Sequence, residues 1–186
     1  MKKFLIFSFF VAVTFVFGQN FQAAVKRDFD NYHQLISNKK VSEALDYANP
    51  KLFDLVPREQ MQKAMESVYN MPGMEYKTFP PQYVSFDDLK KIDKIDYVRF
   101  HIISPIEMKF EDIDGEKDQK IMIALQNKFG AENVNYNKET GFYKINSQKI
   151  IVASSVDNLK NWKFVTVENT QTKSLLSKVI PAEFLD

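Results

Sequence analysis

The sequence contains no cysteine. Disulfides, thiolate metal sites and the acylated cysteine of a lipoprotein are therefore excluded. Only 5 glycines occur, and no glycine-rich loop of the kind that wraps a phosphate group is present. The formal net charge is +1 and the lysines are dispersed, so the clustered basic surface that binds nucleic acid is missing. We expect no nucleic-acid partner, no cofactor and no metal ion.

One long uncharged run stands at the N-terminus. It covers Phe4–Phe17, follows two lysines, and is shorter than the roughly 20 residues that cross a bilayer core. Val16 and Gly18 are small residues in cleavage-site order. We therefore predict a signal peptide over residues 1–18, cleaved after Gly18, and a periplasmic or secreted protein without stable membrane insertion. The alternative is an uncleaved helix that anchors the protein in the inner membrane.

The remaining chain, 19–186, has the length of a single domain. Its first part carries apolar residues three and four positions apart, which is typical of one face of a helix. This stripe consists of Phe21, Val25, Phe29, Tyr32 and Ile36. Shorter helical segments are predicted over Val41–Tyr47 and Lys51–Val56, and a longer one from Pro57 to Tyr69.

Beyond Gly73 the apolar pattern changes to alternation, which predicts strands. We predict a bulge or a sheet edge at Pro105, a hairpin turn at Asn146-Ser147, and an inserted helix from Ile121 to a cap at Gly130. A closing helix is predicted over Thr172–Val179. The predicted strands are Glu75–Phe79, Gln82–Leu89, Tyr97–Phe110, Asn133–Tyr136, Phe142–Ile145, Lys149–Ser154 and Trp162–Val167.

Helices followed by sequential strands indicate an α+β fold. The Phe21–Ile36 helix, the stretch LDYANPKLFDLVPREQM at Leu45–Met61 and the segment NWKFV at Asn161–Val165 resemble the NTF2-like (cystatin-like cone) superfamily. The ending KVIPAEFL also resembles an uncharacterised family of secreted bacterial proteins. The resemblance implies N-terminal helices packed on a curved, mostly antiparallel sheet, with Trp162 in its last strand and the following apolar residues folded over an edge or the mouth.

Only 2 histidines are available for acid–base chemistry. His101 shares a strand face with Tyr97, so the two could act as base and hydrogen-bond donor if that face lined the cone. If the opposite face, with Val98 and Ile102, is the buried one, His101 faces solvent. His33 lies on the first helix, where an exposed histidine is the commoner interpretation and a dyad with a nearby aspartate the rarer one.

Aromatic and methionine side chains could line an adaptable apolar pocket. We predict a pocket lined by Phe29, Tyr32, Met61, Met65, Phe100 and Trp162. The favoured function is non-catalytic binding of a small apolar ligand or a protein partner. The alternative is a small cone-type enzyme with isomerase-like or dehydratase-like acid–base chemistry. The sequence also leaves open whether the protein forms a homodimer.

The acidic run Glu111–Glu116 does not match a calcium loop, because phenylalanine and isoleucine occupy two ligand positions.

The predicted cleavage can be tested by intact-mass measurement of the protein isolated from the periplasm of its own host. The mature chain should begin at Gln19, and Gly18→Leu should slow processing because the peptidase needs a small residue at that position. Full-length protein retained in the membrane fraction would instead support the uncleaved anchor.

Overall fold

The structure is a computed structural model that describes residues 12–111, 114–167 and 170–185. Most of the predicted signal peptide and two residues of the acidic run lie outside this range. Helices occur at every N-terminal position where the sequence predicts them, and α1 begins upstream of the expected cleavage site. They are α1 (Ala12–Ser37), α2 (Val41–Ala44) with a 3-10 turn (Leu45–Tyr47), α3 (Leu52–Leu55) and α4 (Arg58–Tyr69).

Seven strands form one antiparallel sheet, and two further helices complete the fold. Asp114 caps the inserted helix by accepting a hydrogen bond from the Lys117 amide at 2.9 Å. The α+β class with N-terminal helices, an inserted helix and a short C-terminal helix is confirmed. The elements are β1 (Met74–Thr78), β2 (Gln82–Phe86), β3 (Lys90–Ile92), β4 (Ile95–Phe110), α5 (Gly115–Phe129), β5 (Val134–Asn137), β6 (Phe142–Ser155), β7 (Lys163–Val167) and α6 (Thr170–Leu176).

The sheet is built on the pairing of its two longest strands. β4 and β6 run antiparallel in unbroken register, from Asp96 opposite Ser155 to Met108 opposite Tyr143. β1, β2 and β3 pair with β4, whereas β5 and β7 pair with β6. The short strands therefore lie end to end along the outer sides of this central pair, which gives a curved, open sheet.

Two expectations about strands are wrong. No hairpin turn forms at Asn146-Ser147, because β6 continues through both residues and stays paired with β4. Polar residues within a long strand resemble a turn when the partner strand is not considered. The strand β3 is absent from the sequence prediction. It forms because Asp93 and Lys94, both with positive φ, make a two-residue turn into β4.

Pro105 lies inside β4 without a bulge. Its carbonyl accepts a hydrogen bond from the Phe79 amide at 3.1 Å, in the gap between the end of β1 and the start of β2. Because the N–H and C=O of a residue in an antiparallel strand point the same way, the missing N–H of proline faces this gap. On this side of β4, no strand of the described residues pairs with Pro105, so the residue lies at a local edge of the sheet. The register shift lies in β2, between Tyr83 and Ser85.

The sheet face under α1, which we call the α1 face, carries two apolar clusters. Phe29 of α1 packs edge-on against Phe100 and Phe164, with ring centroids 5.3 Å and 5.1 Å apart. We call these residues the aromatic cluster, together with Phe21, Val25, Val98, Ile102, Ile151, Ala153 and Trp162, and the partly buried Tyr32, Tyr83 and Phe86. The second group, the α5 cluster, comprises Ile106, Val134 and Ile145 with Tyr76, Met108, Met122, Leu125 and Phe129.

The opposite face of the sheet, which we call the C-terminal face, is covered in part by the last residues of the chain. Tyr97 of β4 packs against Phe184 at 5.4 Å between ring centroids. Val152, Val165 and Val167 belong to the same cluster as Leu176, Val179, Ile180 and Leu185. The apolar residues after β7 thus cover the face opposite α1, and the expectation that they close an edge or the mouth is wrong, because they pack on Tyr97, Val152 and Val165 of this face.

A buried hydrogen bond ties α1 to the other end of the chain. The Asp28 carboxylate accepts a hydrogen bond from the backbone amide of Trp162 at 2.9 Å and one from Arg27 Nε at 2.8 Å. Arg27 also donates to the carbonyl of Lys160 at 2.7 Å. This contact, which we call the Asp28 tether, fixes α1 against the entry to β7.

Asp28→Ala should lower the free energy of unfolding by about 1–3 kcal/mol, because it leaves the buried Trp162 amide without a partner. Urea unfolding followed by the fluorescence of the single tryptophan measures this. Asp54→Ala, an exposed change on α3, is the matched control and should be neutral within about 0.5 kcal/mol. Equal stability of the two variants would contradict the role assigned to the tether.

Candidate functional site

A band of polar side chains crosses the α1 face between the aromatic cluster and the α5 cluster. Ser104 of β4 and Ser147 of β6 are cross-strand partners, and they are 7% and 6% exposed. Lys149 follows on the same face of β6, and Thr78 of β1 borders the band through its pairing with Ile106. We call Ser104, Ser147, Lys149 and Thr78 the polar band.

The last turns of α1 lie next to this band. Ser37 Oγ is 2.7 Å from Thr78 Oγ1, so one hydroxyl donates to the other. The same Ser37 oxygen is 3.4 Å from Nδ1 of His33, one helical turn earlier, which is a weak contact. His33 and Ser37 are four positions apart and therefore lie on the same face of α1. The His33 imidazole consequently lies next to the polar band.

The His33 imidazole is neutral at neutral pH. Burial lowers its pKa from the ordinary 6.5, the Lys149 cation acts in the same direction, and the Asp30 carboxylate opposes them. A neutral imidazole offers one donor and one acceptor nitrogen. The site therefore presents hydroxyl groups, a neutral imidazole and an ammonium group within an otherwise apolar surface.

A tyrosine pair stands at the α5 end of the site. Tyr76 precedes Thr78 on the same face of β1, and its ring centroid is 5.5 Å from that of Tyr69 on α4. Burial, followed by the neighbouring Tyr69 and Tyr32, raises the pKa of Tyr76 to about 12. The Tyr76 phenol is thus protonated at physiological pH and serves as a hydrogen-bond donor.

Helix α4 forms an outer wall that has no fully buried residue. Its first residue, Arg58, donates from Nη2 to the Ser42 carbonyl and to Asp46 Oδ1, each at 2.7 Å. Lys39 Nζ donates to the carbonyl of Tyr69 at 3.4 Å near the other end. Because α4 is held at its ends and not by a buried face, it is the wall of the site that moves most easily.

The structure brings four of the six predicted pocket residues into one cluster. Phe29, Phe100 and Trp162 are buried in the aromatic cluster, and Tyr32 is partly buried against it, whereas Met61 and Met65 lie half-exposed on α4. The prediction that these residues line a ligand site stays a prediction. The polar band lies beside the aromatic cluster on the same face of the sheet.

The two candidates for acid–base chemistry do not meet. His101 and Tyr97 share the C-terminal face, as the alternation predicts, but four residues separate them, which is about 13 Å along a strand. His101 is half-buried opposite Ser85 of β2 and Ile150 of β6. Tyr97 is buried under the C-terminal segment, and burial, assisted by Asp93, raises its pKa.

The rarer dyad of His33 with Asp30 also lacks support from the geometry. Asp30 Oδ1 accepts a hydrogen bond from the Tyr83 hydroxyl at 2.7 Å. Tyr83 also donates to the Lys26 carbonyl at 3.3 Å, and burial followed by the contact with Asp30 raises the pKa of Tyr83. Asp30 is thus engaged with β2, and His33 makes its own contact with Ser37.

Sequence reasoning missed the polar band. The signal was the uninterrupted alternation of β6, in which Ser147 and Lys149 fall on the same side as Tyr143 and Ile145. Placing a turn at Asn146-Ser147 broke that alternation. Ser104 likewise continues the alternation of Val98, Phe100 and Ile102 along β4.

Comparison of the chain with protein-family models, with curated proteins and with solved structures finds no significant match.

Among the described residues, no three or more histidine, aspartate or glutamate side chains are grouped so that they could hold a metal ion. None of the helices in residues 12–111, 114–167 and 170–185 is long and apolar enough to cross a membrane.

Lys149→Met should raise the His33 pKa, because it removes a cation that lowers it, and Asp30→Asn should lower the pKa further, because it removes an opposing carboxylate. Imidazole signals in a pH titration by NMR measure both, in a His101→Gln background that leaves one histidine. Movement of the pKa in the opposite direction for either variant would contradict the arrangement.

Protonation of the His33 imidazole also affects the free energy of unfolding. Because the folded-state pKa of His33 lies below the unfolded value near 6.5, the unfolded chain binds more protons between the two values. The free energy of unfolding should therefore fall as the pH drops through that interval. His33→Gln should remove this dependence, as measured by urea unfolding between about pH 5 and about pH 7.

Proposed function

We propose that the protein is an exported NTF2-like domain that binds a small, largely apolar ligand on the α1 face without catalysis. The ligand's polar end lies at the polar band and its apolar part lies along the adjoining clusters. The observation that carries this proposal is the band itself, a few polar groups set between two apolar clusters on one face of the sheet. Apolar walls with few well-placed polar groups are typical of ligand sites.

The serine hydroxyls of the band support a bound partner. Ser104 and Ser147 are almost fully buried, and neither hydroxyl hydrogen-bonds to a side chain or backbone group of the described residues. Neither hydroxyl is among the fully buried side-chain atoms that lack a partner, so both remain open to a ligand oxygen or to water.

The walls beside the band can adapt to a ligand. The α5 cluster contributes the partly buried side chains of Tyr76, Met108 and Met122. Methionine is flexible and polarisable, so it packs against ligands of varied shape. α4, which lacks a buried face, can shift outward as the ligand enters.

The polar groups of the site favour binding over acid–base chemistry. Asp30 is hydrogen-bonded to Tyr83, and His33 contacts the Ser37 hydroxyl. Burial disfavours the protonated form of the His33 imidazole and so lowers its pKa, which makes the imidazole a weaker base. Hydroxyls, a neutral imidazole and a phenol are instead suited to holding a carbonyl or carboxyl oxygen.

The packing of α1 is compatible with removal of residues 1–18. Phe21, Val25 and Phe29 pack into the aromatic cluster, and all three follow the proposed cleavage site. The helical cover over an antiparallel sheet supports the NTF2-like assignment.

Native mass spectrometry of the protein purified from its own periplasm should show a retained small molecule. Recombinant protein should bind the apolar probe N-phenyl-1-naphthylamine, detected by its fluorescence. Ser147→Leu should abolish both signals, because leucine fills the band, while Gln148→Leu, one residue along β6 and on the opposite face, should leave them unchanged.

Thr78→Val provides a conservative second variant in case Ser147→Leu fails to fold, since it removes a hydroxyl and keeps the volume; it should weaken probe binding by about threefold to tenfold. Absence of a retained molecule and of probe binding in the wild type would overturn the proposal. A co-purifying protein chain in place of a small molecule would also overturn it, in favour of a protein partner.

A further inference from the structure

A cavity lies on the C-terminal face, away from the polar band. Its volume is about 190 Å³. We call it the C-terminal pocket; it is lined by Lys51, Ile92, Asp93, Ile95, Tyr97, Ser177, Lys178, Val179, Ile180 and Pro181. At about 30 Å³ for each water molecule, it holds roughly six waters, or a ligand of similar size.

The pocket is built from three distant parts of the chain that are each held in place. The β3–β4 turn places Asp93 and Lys94 with φ of 48° and 69°, as a two-residue hairpin requires. Asn49 Oδ1 accepts a hydrogen bond from the Lys51 amide at 3.0 Å. Lys90 binds Glu183 at 2.9 Å and so fastens the C-terminal segment to β3. The pocket is therefore formed before any ligand arrives.

Tyr97 supplies the observation that points to a ligand. The residue is 4% exposed and lines the pocket, and its hydroxyl hydrogen-bonds to none of the described residues. Among those residues, Trp162 Nε1 is the one fully buried side-chain atom without a partner, so the Tyr97 oxygen is open to the pocket. The pocket is the space from which a hydrogen-bond partner can reach this hydroxyl.

The charges at the rim set the sign of the ligand. Lys51 and Lys178 are exposed, and neither forms an ion pair within the described part of the chain. Asp93 is the one carboxylate among the lining residues. Two ammonium groups against one carboxylate favour an anionic group at the mouth, while Ile95 and Ile180 offer an apolar interior.

We propose that the C-terminal pocket binds a small monocarboxylic acid with an apolar body. The carboxylate lies between Lys51 and Lys178 and accepts a hydrogen bond from the Tyr97 hydroxyl, and the hydrocarbon part lies against Ile92, Ile95 and Ile180. This site is independent of the polar band, which lies on the other face of the sheet.

Titration of the ¹⁵N-labelled protein with hexanoate, hexanol and hexylamine tests the proposal, since the three probes share a tail length and differ in charge. Hexanoate should shift the amide signals of 92–97 and 177–180, and it should bind several-fold more tightly than hexanol and hexylamine. Equal binding of the three probes, or shifts elsewhere only, would overturn the proposal.

Lys178→Met should weaken hexanoate binding by roughly twofold to fivefold and leave hexanol binding unchanged, as expected for a rim charge. Lys63→Met, an exposed change on α4, is the matched control and should have no effect. An equal loss of hexanoate and hexanol binding in Lys178→Met would contradict an electrostatic role.

Tyr97→Phe separates a ligand contact from a structural role. Because the hydroxyl has no internal partner, its removal should leave the melting temperature unchanged or slightly higher, and it should weaken hexanoate binding several-fold. A lower melting temperature with unchanged hexanoate binding would show that the hydroxyl serves the fold and would overturn its assignment to the ligand.

Discussion

Backbone hydrogen bonds between β4 and β6 hold the molecule together, because every other strand pairs with one of these two. Their register is continuous from Asp96 to Met108 on β4. A shift of β4 by one residue against β6 would exchange the two faces of β4, and would place Phe100 where His101 now stands. The aromatic cluster under α1, the α5 cluster, and the cluster under the C-terminal segment all depend on this single alignment.

The same alignment determines where polar groups can be tolerated. Ser104 and Ser147 face each other between two apolar clusters, at the place where α1 ends and α5 has not yet covered the sheet. On the other face, Tyr97 is buried where the last residues of the chain cross β4. Each face thus combines a close-packed region with one place where a hydroxyl makes no hydrogen bond to the described residues, and both proposed binding sites lie at such a place.

Local sequence patterns predicted the helices and most strands, because apolar spacing and a cap such as Gly130 act within a few residues. They also predicted that Val98, Phe100 and Ile102 form the buried side of β4. They could not predict that β6 runs through Asn146-Ser147, since its length is set by pairing with a strand about 40 residues earlier in the chain, a separation over which local propensity carries no information. The polar band was missed for that reason. The C-terminal pocket brings together Lys51, Tyr97 and Lys178, which no local pattern connects.

The Asp28 tether joins residues 134 positions apart. When a chain is synthesised from its N-terminus, α1 emerges long before β7 exists, so its apolar stripe has no surface on which to dock. The core closes only once nearly the whole polypeptide has been made. Until then the stripe around Val25 stays exposed, and it is the segment that has to be shielded from aggregation.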